Sequence, residues 1–322
     1  LTNYISFAGY DPKIDNYEDQ PQEFRDRWPA LQIIGKDILV PAHGIYWLIM
    51  LHAIGFPDDQ MPQLLVHGWW NLGGAKMSKS AGNVIDPFVL IDKYSPAALR
   101  YYLMSDIGTG QDADFSEERL VERYNADLAN SLGNLLNRTL TMVAKYQNNR
   151  ITFPKSDWLQ KPDERSTDSY AENIIKQIGA YKSHMSTGRT LPFMLPVTFG
   201  PFVANAAIGN ILAIVDQGNA LVEDAAPWKL AKDLEKVSKI KLNCVLYALT
   251  ETLRIIAILI SPLLPKAAHG IFDQLNWKME PEWSGKEGRF SLNDAAWGEL
   301  PDGHVVSKPV PLFPRIEIGG GV

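Results

Sequence analysis

Apolar and polar positions follow two different rhythms along this chain, and the change falls near residue 115. In the first stretch the apolar runs are short. Leu31-Gln32-Ile33-Ile34-Gly35 and Gln63-Leu64-Leu65-Val66-His67 have strand length, and the apolar run over 44–54 between them has helix length. Together they predict one βαβ unit. Asp86-Pro87 and Ser95-Pro96 each put a capping side chain before a proline at a first helical position, which predicts two short helices. The turn formers of 108–116 mark a connector. Beyond it Leu120, Tyr124, Leu128, Leu132 and Leu136 recur at helical spacing behind Ser116, an N-cap with Glu117 and Glu118 in the positive first turn. Amphipathic segments over Thr167–Met185, 196–221 and Lys236–Ile260 extend this into an antiparallel helix bundle. After Ala267 the chain is turn-rich, and Lys308 to Glu317 has the composition of an extended tail that packs back on the protein. The expected class is α/β plus all-α: a partial Rossmann-like nucleotide-binding domain over 1–115, then an α-helical bundle over 116–322.

With 322 residues, 46% hydrophobic and 21% charged, the chain can bury a sizeable core in two domains. Its single cysteine, Cys244, lies in an apolar helical run, which excludes an internal disulfide and argues against a cysteine metal site. No signal-peptide pattern opens the chain, and Asn205, Asn210, Glu251 and Arg254 interrupt the longest apolar tracts. A soluble, cytoplasmic protein is expected. The chain begins without methionine, inside Leu1-Thr2-Asn3-Tyr4-Ile5-Ser6-Phe7, in what looks like the middle of a structural element, so it is expected to be a fragment. A net charge of −6 argues against indiscriminate nucleic-acid binding, so any RNA contact must come from a local patch. Two patches qualify: one holds Arg138, Lys145, Arg150 and Lys155, the other Lys229, Lys232, Lys236, Lys239 and Lys241.

In an open α/β sheet ligands bind beyond the carboxyl ends of the strands, where this sequence carries Gly35-Lys36-Asp37 and His67-Gly68. Asp37 can accept hydrogen bonds from a ribose, Gly35 lets a base or sugar approach the backbone, and His67 reaches for a phosphate or ribose oxygen. The plainer alternatives are a helix cap for Asp37 and a buried, hydrogen-bonded imidazole for His67. Between Gly73-Gly74 and Gly82 the segment Lys76-Met77-Ser78-Lys79-Ser80 sets two lysines and two hydroxyls in a loop able to bring positive charge onto a polyphosphate.

That pentapeptide resembles the mobile signature loop of class I aminoacyl-tRNA synthetases, whose lysines stabilise the departing pyrophosphate during amino-acid adenylation. Ile34-Gly35-Lys36-Asp37-Ile38, His43-Gly44-Ile45-Tyr46-Trp47, His67-Gly68-Trp69 and the lysine loop, in this order, resemble the methionyl-tRNA synthetase family. So do the helix 125–138 and Pro227-Trp228. The resemblance implies ATP-dependent, Mg2+-assisted activation of methionine and its transfer to tRNA(Met), by a monomer. It assigns Lys76 and Lys79 to catalysis. ATP contacts fall to Gly35, Asp37, His67, Gly68, Lys76, Met77, Ser78, Lys79 and Ser80, the methionine pocket to Tyr4 and His43, and the anticodon to Asn134, Arg138 and Trp228. No metal-ligating set is implied in this chain.

An aromatic ring and an imidazole suit a thioether substrate, and Asn134 and Arg138, four apart on one helix face, offer an amide and a guanidinium to base edges. Tyr4, His43 and Trp228 as ordinary core residues are the alternative. The chain departs from the family pattern in having one residue more between Asp37 and His43, and Leu221 where an aromatic is expected. The His-Ile-Gly-His-type motif, the first half of the nucleotide fold and an inserted, often zinc-bearing module are absent, so the chain alone is expected to be inactive. A synthetase for another aliphatic amino acid and a non-catalytic tRNA-binding protein are the competing readings.

Overall fold

The computed structural model describes residues 1–78, 80, 82–108, 110–152, 167–185, 203–278, 280–281 and 289–317. The chain divides into two compact units. One comprises Leu1–Ile85, Ile107–Phe115 and Met185–Val203, the other Asp86–Asp106, Ser116–His184 and Ala204–Val322. The two short proline-started helices therefore belong with the helical unit, although a boundary at 115/116 groups them with the first domain.

In the first unit β1 (Leu31–Gly35) pairs in parallel with β2 (Gln63–His67), placing Gly35 beside His67. Gln32 and Ile34 point inward from β1, and β2 buries Leu64, Leu65 and Val66. Helices α1 (Asn3–Ala8), α2 (Gln22–Arg27) and α3 (Leu48–Ala53) flank an aromatic core of Ile5, Phe24, Trp28, Trp47, Leu51 and Phe56, within which Phe24 stacks on Trp28 at 5.9 Å. The crossover predicted over 44–54 begins earlier, in a wide π-type helix over Leu39–Trp47 with a kink at Val40 (φ −115°, ψ 125°). The His43 imidazole lies within this stretch and is buried. The connector is not wholly irregular: β3 (Trp70–Leu72) pairs antiparallel with β4 (Ala75–Lys76) and in parallel with β5 (Ala113–Asp114). Strands this short leave too few positions for a periodic signal.

In the helical unit the predicted caps form. Asp86 Oδ1 accepts from Phe88 N at 2.8 Å to start α4 (Pro87–Tyr94), and Ser95 Oγ from Ala98 N at 3.3 Å to start α5 (Pro96–Ser105). Ser116 Oγ caps α6 (Glu117–Arg123), which continues through a π-type stretch (Tyr124–Leu132) into α7 (Gly133–Gln147), and the predicted stripe from Leu120 to Leu136 is buried. Next come α8 (Thr167–Met185), α9 (Ala204–Ala225), the single turn α10 (Pro227–Leu230), α11 (Lys236–Ile260) and α12 (Pro265–Leu275). The segment predicted over 196–221 thus runs to Ala225, with 196–202 outside the described residues. Helix α12 replaces the first turn-rich stretch predicted after Ala267. A Cβ at Gly218 would come within 2.8 Å of Leu135, so glycine lets α9 approach α7.

Helix α11 is long and apolar enough to cross a membrane, yet 94% of its apolar window is buried inside this unit. Within it Arg254 and Glu251, both fully buried, pair at 2.7 Å. Arg254 also donates to the carbonyls of Asp294 and Ala296, while Glu251 accepts the amides of Gly298 and Glu299. The pair thus ties the 294–299 loop to the core helix. The tail packs back as expected: Asn125 exchanges two hydrogen bonds with the Ile316 backbone, and Phe313 lies against Tyr124.

Candidate active site and RNA-binding face

The carboxyl ends of β1 and β2 hold Gly35, Asp37, His67 and Gly68 together. A Cβ at Gly35 would lie 2.6 Å from Asp37 Oδ1 and 3.6 Å from His67 Cε1, so a side chain there would displace the carboxylate. Asp37 and His67 are both exposed, and the His67 ring donates from Nδ1 to the Gly68 carbonyl at 2.8 Å. His67 is therefore not a core imidazole. Lys76 Nζ lies 3.5 Å from Asp37 Oδ2. Desolvation raises the Asp37 carboxyl, but its own backbone amide and the Lys76 ammonium outweigh it, and the net shift is below the ordinary carboxylate value.

Lys76 owes its place to a tight hairpin. Gly73 (φ 60°) and Gly74 (φ 78°) form the two-residue turn between β3 and β4, and left-handed backbone at both positions is what such turns demand. These glycines fix the start of the loop instead of freeing it. Asn83, not foreseen from the sequence, closes the loop: its Oδ1 accepts from Ser78 N at 2.8 Å and its Nδ2 donates to Lys76 O at 3.2 Å. Ser78 and Ser80 hydroxyls meet at 3.3 Å, and Met77 is half-buried beside them. Lys79 lies outside the described residues. Trp69, given no role of its own in the His67-Gly68-Trp69 motif, is a platform for both lysines: Lys36 and Lys76 each place Nζ 4.0 Å from its ring centroid, and Lys36 pairs with Asp112. Lys76 is a near neighbour of Trp69 in sequence, but Lys36 and Asp112 are distant ones that only tertiary contact reveals.

Tyr4 and His43 do come together. His43 Nδ1 faces the Ile38 carbonyl at 2.9 Å, so it carries the proton, and the Tyr4 hydroxyl donates to Nε2 at 3.1 Å. His43 is buried, whereas Tyr4 keeps 38% of its surface and packs on the buried Trp47 at 5.9 Å. The result is a shallow aromatic wall with one exposed ring.

In the helical unit Arg138 and Trp228 converge. The guanidinium lies 6.0 Å from the Trp228 ring and pairs with Glu223 at 2.7 Å, and Trp228 is 36% exposed. Ala226, in left-handed conformation (φ 44°) before Pro227, turns the chain from α9 into the turn that carries Trp228. Asn134, one helical turn before Arg138, is exposed. Lys229, Lys232, Lys236 and Lys239 are exposed as well.

Among the described residues, no three of His, Cys, Asp and Glu converge on a common point to hold a metal ion.

Two family models match the chain in succession: tRNA synthetases class I (M) over residues 1–140, and the anticodon binding domain of methionyl tRNA ligase over residues 203–318. The methionine–tRNA ligase of Listeria monocytogenes serotype 4b (strain F2365) is 37% identical over 98% of this chain and 43% of its own length. That of Enterococcus faecalis (strain ATCC 700802 / V583) is 39% identical over 99% and 42%. The chain therefore spans less than half the length of the curated relatives it matches. Mycobacterium tuberculosis methionyl-tRNA synthetase bound by methionyl-adenylate has a similar fold, with a TM-score of 0.77 and 29% identity, covering 97% of this chain and 54% of that one. A class I synthetase fold, an anticodon-domain match and methionine-specific relatives across nearly every residue agree: the chain belongs to the methionyl-tRNA synthetase family.

Proposed function

We propose that this chain is part of an enzyme that activates methionine and charges tRNA(Met), with residues 1–115 forming one wall of the adenylation site and residues 116–322 binding the anticodon. The methionine carboxylate attacks the α-phosphorus of ATP, giving methionyl-adenylate and releasing pyrophosphate. The acyl group then passes to a hydroxyl of the terminal tRNA ribose, which forms the ester as the acyl–phosphate bond breaks, releasing AMP and the hydroxyl proton. The observation that carries this reading is the meeting of Lys76, on its glycine-turned hairpin, with Asp37 at the end of β1. In this scheme Asp37 binds the ribose, and Gly35, His67 and Gly68 border the nucleotide. Lys76 and Lys79 stabilise charge growing on the leaving pyrophosphate, with Met77, Ser78 and Ser80 around them. Tyr4 and His43 form the aromatic side of the methionine slot.

Positioning and charge stabilisation supply the rate, since no side-chain nucleophile is required. Mg2+ would enter with the nucleotide and supply positive charge at its phosphates. We place the enzyme in the cytoplasm as a monomer. Phe7 (90% exposed), Ile33 (65%) and Ile49 (61%) support the further reading that the first unit is completed by more polypeptide, and that this chain alone is inactive.

The test is amino-acid-dependent ATP–pyrophosphate exchange by the complete protein and by this chain. Methionine alone should support exchange, and only in the complete protein. Exchange driven by leucine or valine would assign another synthetase, and no exchange with any amino acid would leave a non-catalytic tRNA-binding protein.

A further inference from the structure

The stretch Gln111-Asp112-Ala113-Asp114 grips the lysine hairpin at successive points. A Cβ at Gly68 would sit 2.0 Å from the Gln111 carbonyl oxygen, so the two backbones are in direct contact just before Trp69. Asp112 Oδ1 accepts from Trp69 N at 2.9 Å, and its other oxygen binds Lys36. The Lys36 and Trp69 contacts, in that order, hold the Asp112 carboxyl below its ordinary value. Two residues on, Asp114 Oδ1 accepts from Gly74 N at 2.8 Å, at the turn immediately before Ala75-Lys76. Between these contacts β5 follows β3 in register, with Ala113 N on Trp69 O at 3.0 Å and Phe115 N on Asn71 O at 2.9 Å. The two carboxylates thus bracket the hairpin, one at the backbone amide of Trp69, whose ring faces Lys76, and the other at the turn that sets the direction of Lys76.

We infer that Asp112 and Asp114 are positioning residues for the lysine loop, acting through Trp69 and the Gly73–Gly74 turn to set where Lys76 meets the phosphates. This rests on the adenylation reading above. Neither carboxylate needs to touch substrate. Both satisfy backbone donors that would otherwise point to solvent, and Asp112 also holds Lys36 against the ring that Lys76 shares.

The experiment has two arms. In this chain, amide hydrogen exchange is followed at Gly74 and Trp69. Asp114→Ala should speed exchange at Gly74 and Asp112→Ala at Trp69, while Asp114→Asn, which keeps the acceptor oxygen, should stay protected. In the complete protein, both alanine variants should lower kcat for methionine-dependent ATP–pyrophosphate exchange by roughly tenfold to a hundredfold, with KM for methionine nearly unchanged, and Asp114→Asn should recover most of the loss. Alanine variants that keep the wild-type kcat, or that lose methionine affinity in step with kcat, overturn the inference. If the wild-type complete protein activates no amino acid, the functional reading has failed on its own account. The exchange arm still decides the rest, because unchanged protection of Gly74 in Asp114→Ala would show that the carboxylate does not hold the hairpin.

Discussion

Replacing Glu223 by glutamine should tighten RNA binding by the helical unit. In the free protein Arg138 is held by Glu223 at 2.7 Å, with side chains 29% and 62% exposed, and it faces the Trp228 ring. A base that takes the guanidinium fork or stacks on Trp228 must first release Glu223, and it brings phosphates toward that carboxylate. A pair this exposed is worth about 0.2–1 kcal/mol, so removing the charge should raise affinity by at most about fivefold. Arg138→Ala works the other way: it loses a base-edge contact worth about 1–3 kcal/mol, with the intact pair's small cost given back. Trp228→Ala should cost about 1–3 kcal/mol through lost stacking, and Trp228→Phe should recover part of it. The assay is a titration of each variant against stem-loops bearing CAU or a scrambled anticodon at two salt concentrations. The reasoning fails if Glu223→Gln weakens binding, if Arg138→Ala leaves both affinity and discrimination intact, or if wild type binds both RNAs equally.

Arg254→Met should destabilise the helical unit by about 3–5 kcal/mol in a urea melt followed by circular dichroism, because it strands the buried Glu251 carboxylate and frees two loop carbonyls; a loss below about 1 kcal/mol would show that the pair is dispensable. In the complete enzyme Lys79→Ala should slow adenylation by about 3–4 kcal/mol of barrier while methionine binding holds, and the reverse pattern would deny it a role in the transition state. Acid should loosen the hairpin base. The folded Asp112 carboxyl titrates below its unfolded value near 3.8, so its contribution is present above that pH and lost as pH falls through the folded value. Exchange at the Trp69 amide, which Asp112 holds, corrected for intrinsic rate, should therefore rise below about pH 4, and a rise complete by pH 6 would implicate another group. Replacing Lys236 or Lys239 should weaken every RNA alike and flatten the salt dependence, whereas an anticodon-selective loss would give these lysines a base-reading role.

What the sequence disclosed about fold and site followed the range of the interactions involved. Strands β1 and β2, the Asp86, Ser95 and Ser116 caps and the stripe from Leu120 to Leu136 each show a pattern within a few residues, although the two strands pair across a long crossover. Strand β5 was hidden because Ala113–Asp114 has no periodicity of its own and becomes a strand only against Trp70–Leu72. Helix α12 was obscured by Pro265 and Gly270, the first sitting harmlessly at a helix start, the second packed so closely that a Cβ would lie 2.5 Å from Leu312. At the candidate site, Gly35, Asp37, Lys76, Tyr4 and His43 stand out in the sequence because their chemistry suits the roles proposed for them. The residues that hold them, Trp69, Asp112 and Asn83, carry no such mark, since an aspartate that accepts a backbone amide looks like any turn-forming aspartate until the fold brings the amide to it.

The same arrangement recurs within each unit taken separately: a cation that we propose meets a nucleotide or nucleic-acid ligand rests on an exposed carboxylate. Lys76 lies on Asp37, which is itself the ribose acceptor in the proposed site, and Arg138 lies on Glu223. Exposed pairs of this kind contribute at most about 1 kcal/mol, so a phosphate or base edge exchanges them at little cost. Lys36 on Asp112 differs, because that carboxylate also accepts the Trp69 amide and is not free to leave. The contrast separates the residues by task. Where the acid holds no backbone amide of another segment, its pairing keeps the cation extended and available, and ligand binding converts one ion pair into another. Where the acid is tied to the backbone, the cation becomes part of the scaffold. On this argument Lys36→Met should disturb the Trp69 platform and the base of the hairpin, while Lys76→Met should leave both in place and remove only the charge that the phosphates meet.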